Sequence, residues 1–383
     1  MMRPMKLAGE QLLFGVGTLA HLQTLTGKKA CIVTGGSSMK RSGMLQKVND
    51  YLEKAGFHVA VFSGVEPDPS FSTVRKGAQW MLEEKPDWII ALGGGSAMDA
   101  AKAMWIYYEH PELETLADIM PPNPFPALRN KAKLCCIPST AGTASEVSRS
   151  IVISDDMSKK KYGLGNMEMM PDVAICDPEV TLSMPDHITA ETGMDALTHD
   201  LEALVSNRAN YVSDTLALSS IETLVEYLPK VMEEPQNIEY REQVLNAAMM
   251  AGLAFTNVSL GIVHSMAHTI GGHFHVAHGL ADAIILPYII RYNRQADKAV
   301  EKYRLAEERL KLGPIESVVE DMNRHFVIPE CFQDIIPDEK KYFDAMDTMV
   351  EEARTDGCTK TNPVIPTPEE FRKLFEQVYY GKE

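Results

Sequence analysis

The sequence is short of basic residues. It has 37 lysines and arginines against 53 aspartates and glutamates, which gives a net charge of −16 at pH 7. An acidic surface attracts neither nucleic acid nor an anionic membrane, so we expect neither as a partner. No apolar run is long enough to cross a bilayer, and the N-terminal residues M-M-R-P-M-K-L-A-G-E lack the apolar segment of a signal peptide. Any phosphate-bearing ligand must therefore be held by a local site.

The cysteines follow neither a disulfide framework nor a C-x-x-C spacing. There are six, at positions 31, 135, 136, 176, 331 and 358. We expect them to be buried, reduced thiols in a cytoplasmic protein. The G-x-G-x-x-G fingerprint is also missing, so an ordinary Rossmann domain is not implied.

Strand-like and helix-like segments alternate through the first half of the chain. Short β-rich runs lie at 30–34, 58–63, 88–92, 134–138, 151–154 and 173–175, with helical patterns at 42–55 and 71–84. This alternation predicts an α/β domain built on a parallel sheet. The lysine-rich segment 158–166 is predicted to be a hairpin or surface turn. Because 383 residues favour two domains, we place the boundary near the proline-containing segment 177–185, giving domains 1–182 and 183–383.

Three of the predicted strands end in loops of small residues. Gly93-Gly94-Gly95-Ser96 follows one strand and opens a helix, where free N–H groups and the helix dipole favour phosphate. Residues 139–145 follow a second strand, and Gly35-Gly36 follow the first. Open parallel sheets bind ligands at the carboxyl ends of their strands. Three such loops together favour a nucleotide site over purely structural turns.

The second half of the chain has helical periodicity and no strand signals. Helices are predicted over 188–205, 212–227, 242–256 and 260–271, and charged amphipathic helices follow from 291. Within this half, Asp195 and His199 stand four residues apart, as do His264 and His268, so each pair shares a helix face. His278 lies beyond a glycine-containing turn. One carboxylate with several imidazoles suits Fe²⁺ or Zn²⁺, although spacing leaves open which three or four residues bind it.

Four motifs together resemble the iron-containing (group III) alcohol dehydrogenase family. They are G-G-G-S-A-M-D-A-A-K (93–102), P-S-T-A-G-T-A-S-E-V-S (138–148), G-M-D-A-L-T-H (193–199) and the histidine-rich segment 261–280. The resemblance covers essentially the whole chain. It implies a dinucleotide-binding α/β domain and an all-α metal-binding domain, the fold shared with dehydroquinate synthase, in a homo-oligomer. It also implies hydride transfer between NAD(P) and a short alcohol, diol or aldehyde, because a divalent cation stabilises the alkoxide form of the alcohol.

The family's motif positions imply a role for each site residue. The metal ligands would be Asp195, His199, His264 and His278, and His268 would line the substrate site and carry a proton. The cofactor would contact Gly94, Gly95, Ser96, Asp99, Thr140, Thr143 and Lys161.

The loop after the first strand departs from NAD-using relatives, which commonly carry an acidic residue there. This chain has Gly35, Gly36, Ser37, Ser38, Met39, Lys40 and Arg41. Ser38, Lys40 and Arg41 could bind the 2′-phosphate of NADP(H), and no carboxylate is present to repel it. The run resembles the NADP-linked butanol dehydrogenase branch, whereas the metal motifs resemble propanediol and lactaldehyde reductases. We expect NADP(H) to be preferred over NAD(H).

Three other functions compete with this interpretation. A dehydroquinate-synthase-like lyase shares the fold but uses a different ligand set, which the Asp195/His199 pair disfavours. A glycerol-dehydrogenase-like zinc enzyme would use three protein ligands. That number is exceeded if His278 also binds the metal. A nucleotide-binding or metal-sensing regulator would show no alcohol-dependent reduction of the cofactor.

Overall fold

The computed structural model describes residues 5–120, 122–157 and 161–382. Ser158, Lys159 and Lys160, which belong to the predicted hairpin, lie outside the described residues. Two compact units make up the chain, one ending at Met184 and the other beginning at Pro185.

The first unit alternates strands and helices. Its strands are β1 (Gln11–Phe14), β2 (Lys29–Thr34), β3 (His58–Phe62), β4 (Trp88–Gly93), β5 (Lys133–Pro138), β6 (Ser150–Ser154), β7 (Lys161–Gly165) and β8 (Val173–Cys176). Its helices are α1 (Ser38–Arg41), α2 (Met44–Lys54), α3 (Phe71–Glu84) and α4 (Gly95–Glu109). Every strand and helix predicted from the pattern is present within a few residues. The short strand β1 and the helical turn α1 were not predicted.

Six of these strands form one sheet in the order β1-β8-β5-β4-β2-β3, and all its pairings are parallel. The sheet is buried on both faces, as parallel sheets usually are. In β4, Ile89 and Ala91 pack with α3 and α4, while Ile90 and Leu92 pack on the opposite face with α2. Because both faces are apolar, the strand is a continuous hydrophobic run, which explains why it was readable in the sequence. The predicted parallel α/β architecture is confirmed.

The strand order places a topological switch point beside β2. The chain leaves β2 for β3 on one side and then returns to form β4 on the other side of β2. The loops that follow β2 and β4 therefore diverge from a common crevice at the carboxyl edge of the sheet, where ligands of such folds bind.

A separate two-stranded hairpin is formed by β6 and β7. They pair antiparallel, with Val152 opposite Gly163. The predicted hairpin is confirmed for residues 150–154 and 161–165. Its register places Lys161, the first residue of β7, opposite Ser154.

The second unit contains ten α-helices and no strand among residues 185–382. They are α5 (Asp186–Val205), α6 (Tyr211–Glu233), α7 (Ile238–Val258), α8 (Ile262–Phe274), α9 (His278–Asn293), α10 (Asp297–Leu310), α11 (Ile315–His325), α12 (Glu339–Asp344), α13 (Met346–Thr355) and α14 (Pro368–Tyr380). The helices α5, α7, α8 and α9 are largely buried, so side chains on several of their faces meet inside the unit. The predicted all-helical architecture is confirmed.

No single helix in the described part of the chain is long and apolar enough to span a membrane. Only α7 and α8 taken together pass such a test of length and composition, and they are bent by 102° at the break between them. The six cysteines are all unpaired, and all but Cys358 are buried. Burial raises the pKa of the Cys31 thiol to about 12, so this side chain is inert near neutral pH.

Candidate functional site

Three helices of the second unit bring acidic and imidazole groups together. Asp195 comes from α5, His264 from α8, and His278 and Asp282 from α9. Each offers one ligand atom, and the four atoms all lie within 4.8 Å of one another. His278 is partly exposed, whereas the other three side chains are buried.

The separations of these atoms suit a single cation. Asp195 Oδ1 lies 3.7 Å from His264 Nε2, and Asp282 Oδ2 lies 3.3 Å from His278 Nε2 and 3.9 Å from His264 Nε2. Bonds of about 2.1 Å to one ion would place neighbouring ligand atoms roughly 3.0–3.4 Å apart. A small inward adjustment of the side chains is therefore enough to bind an ion.

Several of these atoms are buried and have no hydrogen-bond partner within the described residues. They are Asp195 Oδ1, His264 Nε2, and both carboxylate oxygens of Asp282. Leaving a buried polar atom unsatisfied costs about 1–3 kcal/mol, more when the group is charged. A divalent cation would satisfy all of them at once, and two carboxylates with imidazoles form a donor set that Fe²⁺ and Zn²⁺ accept. The residues fit a metal.

His199, a predicted ligand, lies beside this group and is not among its four mutually close members. Its Nε2 is 3.4 Å from Asp195 Oδ1, and its ring stacks on the His264 ring with centroids 4.7 Å apart. The predicted ligand set of Asp195, His199, His264 and His278 stays a prediction. The structure adds Asp282, which sequence reasoning missed.

The electrostatics of the group depend on opposed charges. Burial disfavours ionisation of Asp195, but the facing imidazoles of His199, His264 and His278 outweigh it and hold the pKa of that carboxyl below its usual range. Burial also opposes protonation of His264, yet the carboxylates of Asp282 and Glu202 raise its pKa well above the ordinary value. Positive charge is thus strongly favoured at the centre of the group.

Two glycines allow the helices to approach closely enough to assemble the group. A Cβ on Gly279, in the first turn of α9, would lie 2.2 Å from the carbonyl oxygen of Glu191 and 3.3 Å from Asp195 Cβ. A Cβ on Gly261, which caps α8, would lie 2.8 Å from Glu202 Oε1. Larger residues at either position would push α9 or α8 away from α5.

Glu202 orients His264 from behind. His264 Nδ1–H donates to Glu202 Oε2 at 2.7 Å, and the Val263 N–H donates to Glu202 Oε1 at 2.7 Å. Because its Nδ1–H is held by Glu202, His264 turns Nε2 toward the metal group, which is the arrangement typical of metal-bound histidines. Sequence reasoning missed Glu202, although it lies one turn beyond His199 on α5.

His268 lies outside the four-residue group, and its predicted role as a proton carrier stays a prediction. Its ring stacks on that of His278 with centroids 5.3 Å apart and an interplanar angle of 9°. Its Nδ1–H donates to Asp356 Oδ2 at 2.9 Å. Asp356, which follows α13, was also missed. Burial opposes its ionisation, but His268 and the Cys358 N–H hold the pKa of Asp356 below its usual range.

The two remaining histidines of the segment have structural positions. His273 Nε2 is 3.0 Å from Glu352 Oε2. His275 is exposed and ends α8 in the left-handed conformation, with φ of 59°. Neither belongs to the metal group.

In the first unit, two of the predicted loops meet at the carboxyl edge of the sheet. A Cβ on Gly94 would lie 3.3 Å from Thr140 Cγ2, and one on Gly95 would lie 2.8 Å from Thr143 Cγ2, so the loops after β4 and β5 touch. Gly94 caps α4, and Gly95 and Ser96 form its first turn. The Thr140 hydroxyl oxygen is buried and has no hydrogen-bond partner among the described residues. A phosphate oxygen could fill that role, which fits a dinucleotide.

Asp99 connects α4 to the chain after β5. One carboxylate oxygen accepts from Ser145 Oγ at 2.6 Å and the other from the Val152 N–H at 2.8 Å. Both oxygens are therefore engaged within the protein, and Asp99 supports the loop from behind. A direct cofactor contact by Asp99 stays a prediction.

Two cationic sites flank the loops. Lys161 Nζ lies 2.7 Å from Asp68 Oδ1, which connects β7 to the loop after β3. Ser38, Lys40 and Arg41 are exposed on α1, directly after Gly35-Gly36 and β2. Neither Lys40 nor Arg41 forms an ion pair with any residue that the structure describes, so their charges are available to a ligand.

Comparison with known proteins gives the family. The family model described as iron-containing alcohol dehydrogenase matches residues 9–178, and that of the Fe-containing alcohol dehydrogenase C-terminal domain matches residues 189–379. The chain is 45% identical over 379 residues to the NADPH-dependent butanol dehydrogenase of Clostridium saccharobutylicum, covering 97% of this chain and 96% of that protein. It is 35% identical to the 1-propanol dehydrogenase of Citrobacter freundii, covering 96% and 98% respectively.

A solved structure of the same family also matches the chain. The iron-containing alcohol dehydrogenase from Thermococcus thioreducens matches with a TM-score of 0.92 and 32% identity, over 99% of this chain and 100% of that one. Together with the buried metal group and the convergent loops, these matches confirm the resemblance that the sequence motifs carried. The chain belongs to the iron-containing alcohol dehydrogenase family.

Proposed function

We propose that this protein is an Fe²⁺-dependent, NADP(H)-preferring enzyme that interconverts short primary alcohols and aldehydes. The buried group of Asp195, His264 and His278, with ligand atoms left unsatisfied, is the observation that carries the proposal. The named activities of the butanol and propanol dehydrogenases to which the chain is similar support the substrate class.

Residues of the second unit would hold the metal and transfer the proton. When bound, the cation supplies Lewis acidity toward an alcohol or carbonyl oxygen. Asp195, His264 and His278 hold it, with His199 as the remaining predicted ligand. His268 carries the proton. Because its Nδ1–H is held by Asp356, its Nε2 is the atom that accepts or releases that proton.

Residues of the first unit would bind the dinucleotide. The first turn of α4, with Gly94, Gly95 and Ser96, offers N–H groups to the pyrophosphate. The Thr140 hydroxyl adds a donor that lacks a partner in the protein. The charges of Lys40 and Arg41, together with the Ser38 hydroxyl, favour the 2′-phosphate that distinguishes NADP(H) from NAD(H).

A test uses protein loaded with Fe²⁺ under anaerobic conditions and a panel of aldehydes and diols of two to five carbons. We expect aldehyde-dependent oxidation of NADPH, with a kcat/KM for NADPH at least tenfold above that for NADH. Chelation should abolish turnover, and re-addition of Fe²⁺ should restore it. Turnover that survives complete removal of metal would refute the metal-dependent function. A higher kcat/KM for NADH would refute only the cofactor preference.

We also propose a homo-oligomer in a reducing cytoplasmic compartment. The edge strand β1 exposes Phe14, and Val16 and Leu7 beside it are exposed as well, which favours association at that edge. Six unpaired cysteines suit a reducing compartment. Light scattering coupled to size exclusion would give the subunit number, and a monomer at micromolar concentration would contradict the first proposal.

A further inference from the structure

Asp282 is a carboxylate at the metal group that the predicted ligand set does not include. It lies on α9 one turn after His278, and its side chain is fully buried, with 0% exposure. Neither of its oxygens has a hydrogen-bond partner among the described residues. Its Oδ2 faces His278 Nε2 at 3.3 Å and His264 Nε2 at 3.9 Å. A buried carboxylate in this position is stabilised only when a cation or a proton balances its charge.

Asp195 faces the same space from α5. Its ligand atom and that of Asp282 lie within 4.8 Å of each other. Two buried carboxylates this close cannot both be ionised unless a proton or a cation lies between them. A shared proton would satisfy one oxygen of each carboxyl group, but it would leave His264 Nε2 and the second oxygen of Asp282 without a partner. A cation at this point would be reached by ligand atoms of all four residues.

We propose that Asp282 is a direct ligand of the metal, so that the centre contains two carboxylates and not one. This inference rests on the proposed metal centre and extends its ligand set. The i,i+4 pair His278/Asp282 on α9 then mirrors the pair Asp195/His199 on α5, and each helix contributes one carboxylate and one imidazole. The carboxylates balance the charge of a divalent ion.

A second carboxylate has a consequence for the choice of metal. Oxygen ligands suit harder cations, and tetrahedral sites of nitrogen and sulfur ligands suit Zn²⁺. With Asp282 added to Asp195, His199, His264 and His278, the protein supplies five ligands, so a substrate oxygen requires an ion that accepts six. The ligand set therefore favours Fe²⁺ over Zn²⁺ relative to a site with a single carboxylate.

The test replaces the carboxylate with its isosteric amide. Asp282→Asn keeps the size and can donate a hydrogen bond to Asp195, but it loses the charge and the anionic oxygen. Fe²⁺ and Zn²⁺ affinities are measured by chelator competition on the full chain, and Co²⁺-substituted protein is followed by visible absorption. We expect Asp282→Asn to lower Fe²⁺ affinity at least tenfold and Zn²⁺ affinity less, and to change the Co²⁺ spectrum.

Asp200→Asn is the matched control. Asp200 is equally buried on α5, and both its oxygens lack partners among the described residues, but it lies outside the metal group. This variant should bind metal as the wild type does. If Asp282→Asn also keeps wild-type affinities and an unchanged Co²⁺ spectrum, Asp282 is a protonated donor to Asp195 and the inference is wrong.

Two further measurements separate the inference from the function on which it rests. If Asp195→Asn and His264→Ala leave metal binding intact as well, the proposed metal centre itself fails. If Asp282→Asn does not fold, a crystal structure of the wild-type protein grown anaerobically with Fe²⁺ decides the question. An Asp282 oxygen about 2.0–2.2 Å from the iron supports the inference, and one beyond roughly 3 Å overturns it.

Discussion

Glu202 provides the sharpest test of how the second unit prepares its metal ligands. Each of its oxygens accepts one hydrogen bond, from the Val263 N–H and from His264 Nδ1–H, both at 2.7 Å. Glu202→Gln keeps the shape but leaves only one acceptor. If the amide nitrogen faces Val263, two donors oppose each other. If it faces His264, Nδ1 must accept, which puts the imidazole proton on Nε2, the atom that should bind the metal.

Either orientation weakens the centre by an amount that can be stated beforehand. A hydrogen bond to a charged group contributes about 1.5–3 kcal/mol, and loss of such a supporting partner typically lowers metal affinity about 10–100-fold. We expect Glu202→Gln to lower Fe²⁺ affinity within that range, measured by anaerobic chelator competition. The loss in kcat at saturating metal should be smaller, because the reacting groups remain in place.

Glu352→Gln is the control for the same substitution beside a histidine. Glu352 Oε2 lies 3.0 Å from His273 Nε2, and His273 is not part of the metal group. This variant should bind Fe²⁺ like the wild type. If Glu202→Gln binds Fe²⁺ within twofold of the wild type while remaining folded, the orienting role of Glu202 is refuted.

Further predictions concern the proton, the fold, the cofactor and the metal. Asp356→Asn should lower kcat roughly tenfold and shift its pH profile with metal content unchanged, because His268 loses its charged partner. Burial raises the pKa of Glu146 to about 7, so the folded state retains a proton that the unfolded state has lost above about pH 4.5. Wild-type stability should fall by roughly 3 kcal/mol between those pH values, and Glu146→Gln should lack this slope in denaturant titrations. Replacing Lys40 and Arg41 by alanine should raise KM for NADPH about tenfold and leave KM for NADH within about twofold. Removal of the metal should lower the Tm, and a Tm independent of Fe²⁺ would contradict a metal bound to the native state.

The fold was largely predictable because its signals are local. The strands of the six-stranded sheet are buried on both faces, so they appear as short apolar runs between helical segments. β1 was missed because four residues with only two partly buried side chains carry little pattern. α1 was missed because the run after Gly36 contains polar residues around a single buried one, Met39.

Only those metal-site residues that lie one helical turn apart in the sequence could be predicted from spacing. The pairs Asp195/His199 and His264/His268 could be recognised because four residues make one helical turn. The pair His278/Asp282 has the same spacing and could have been recognised in the same way. Its carboxylate lies just beyond the histidine-rich segment, in an apolar run.

The carboxylates that hydrogen-bond to the histidines could not be predicted from sequence spacing. Glu202 is 62 residues from His264, and Asp356 is 88 residues from His268. No periodicity links positions so far apart, because their contact depends on how α5, α8 and the end of α13 pack. The packing depends in turn on small residues such as Gly261, whose missing side chain leaves room for the Glu202 carboxylate. Local spacing therefore indicates which residues bind the metal. The orientation and protonation of each histidine are instead set by tertiary contacts, which only a structure with side chains shows.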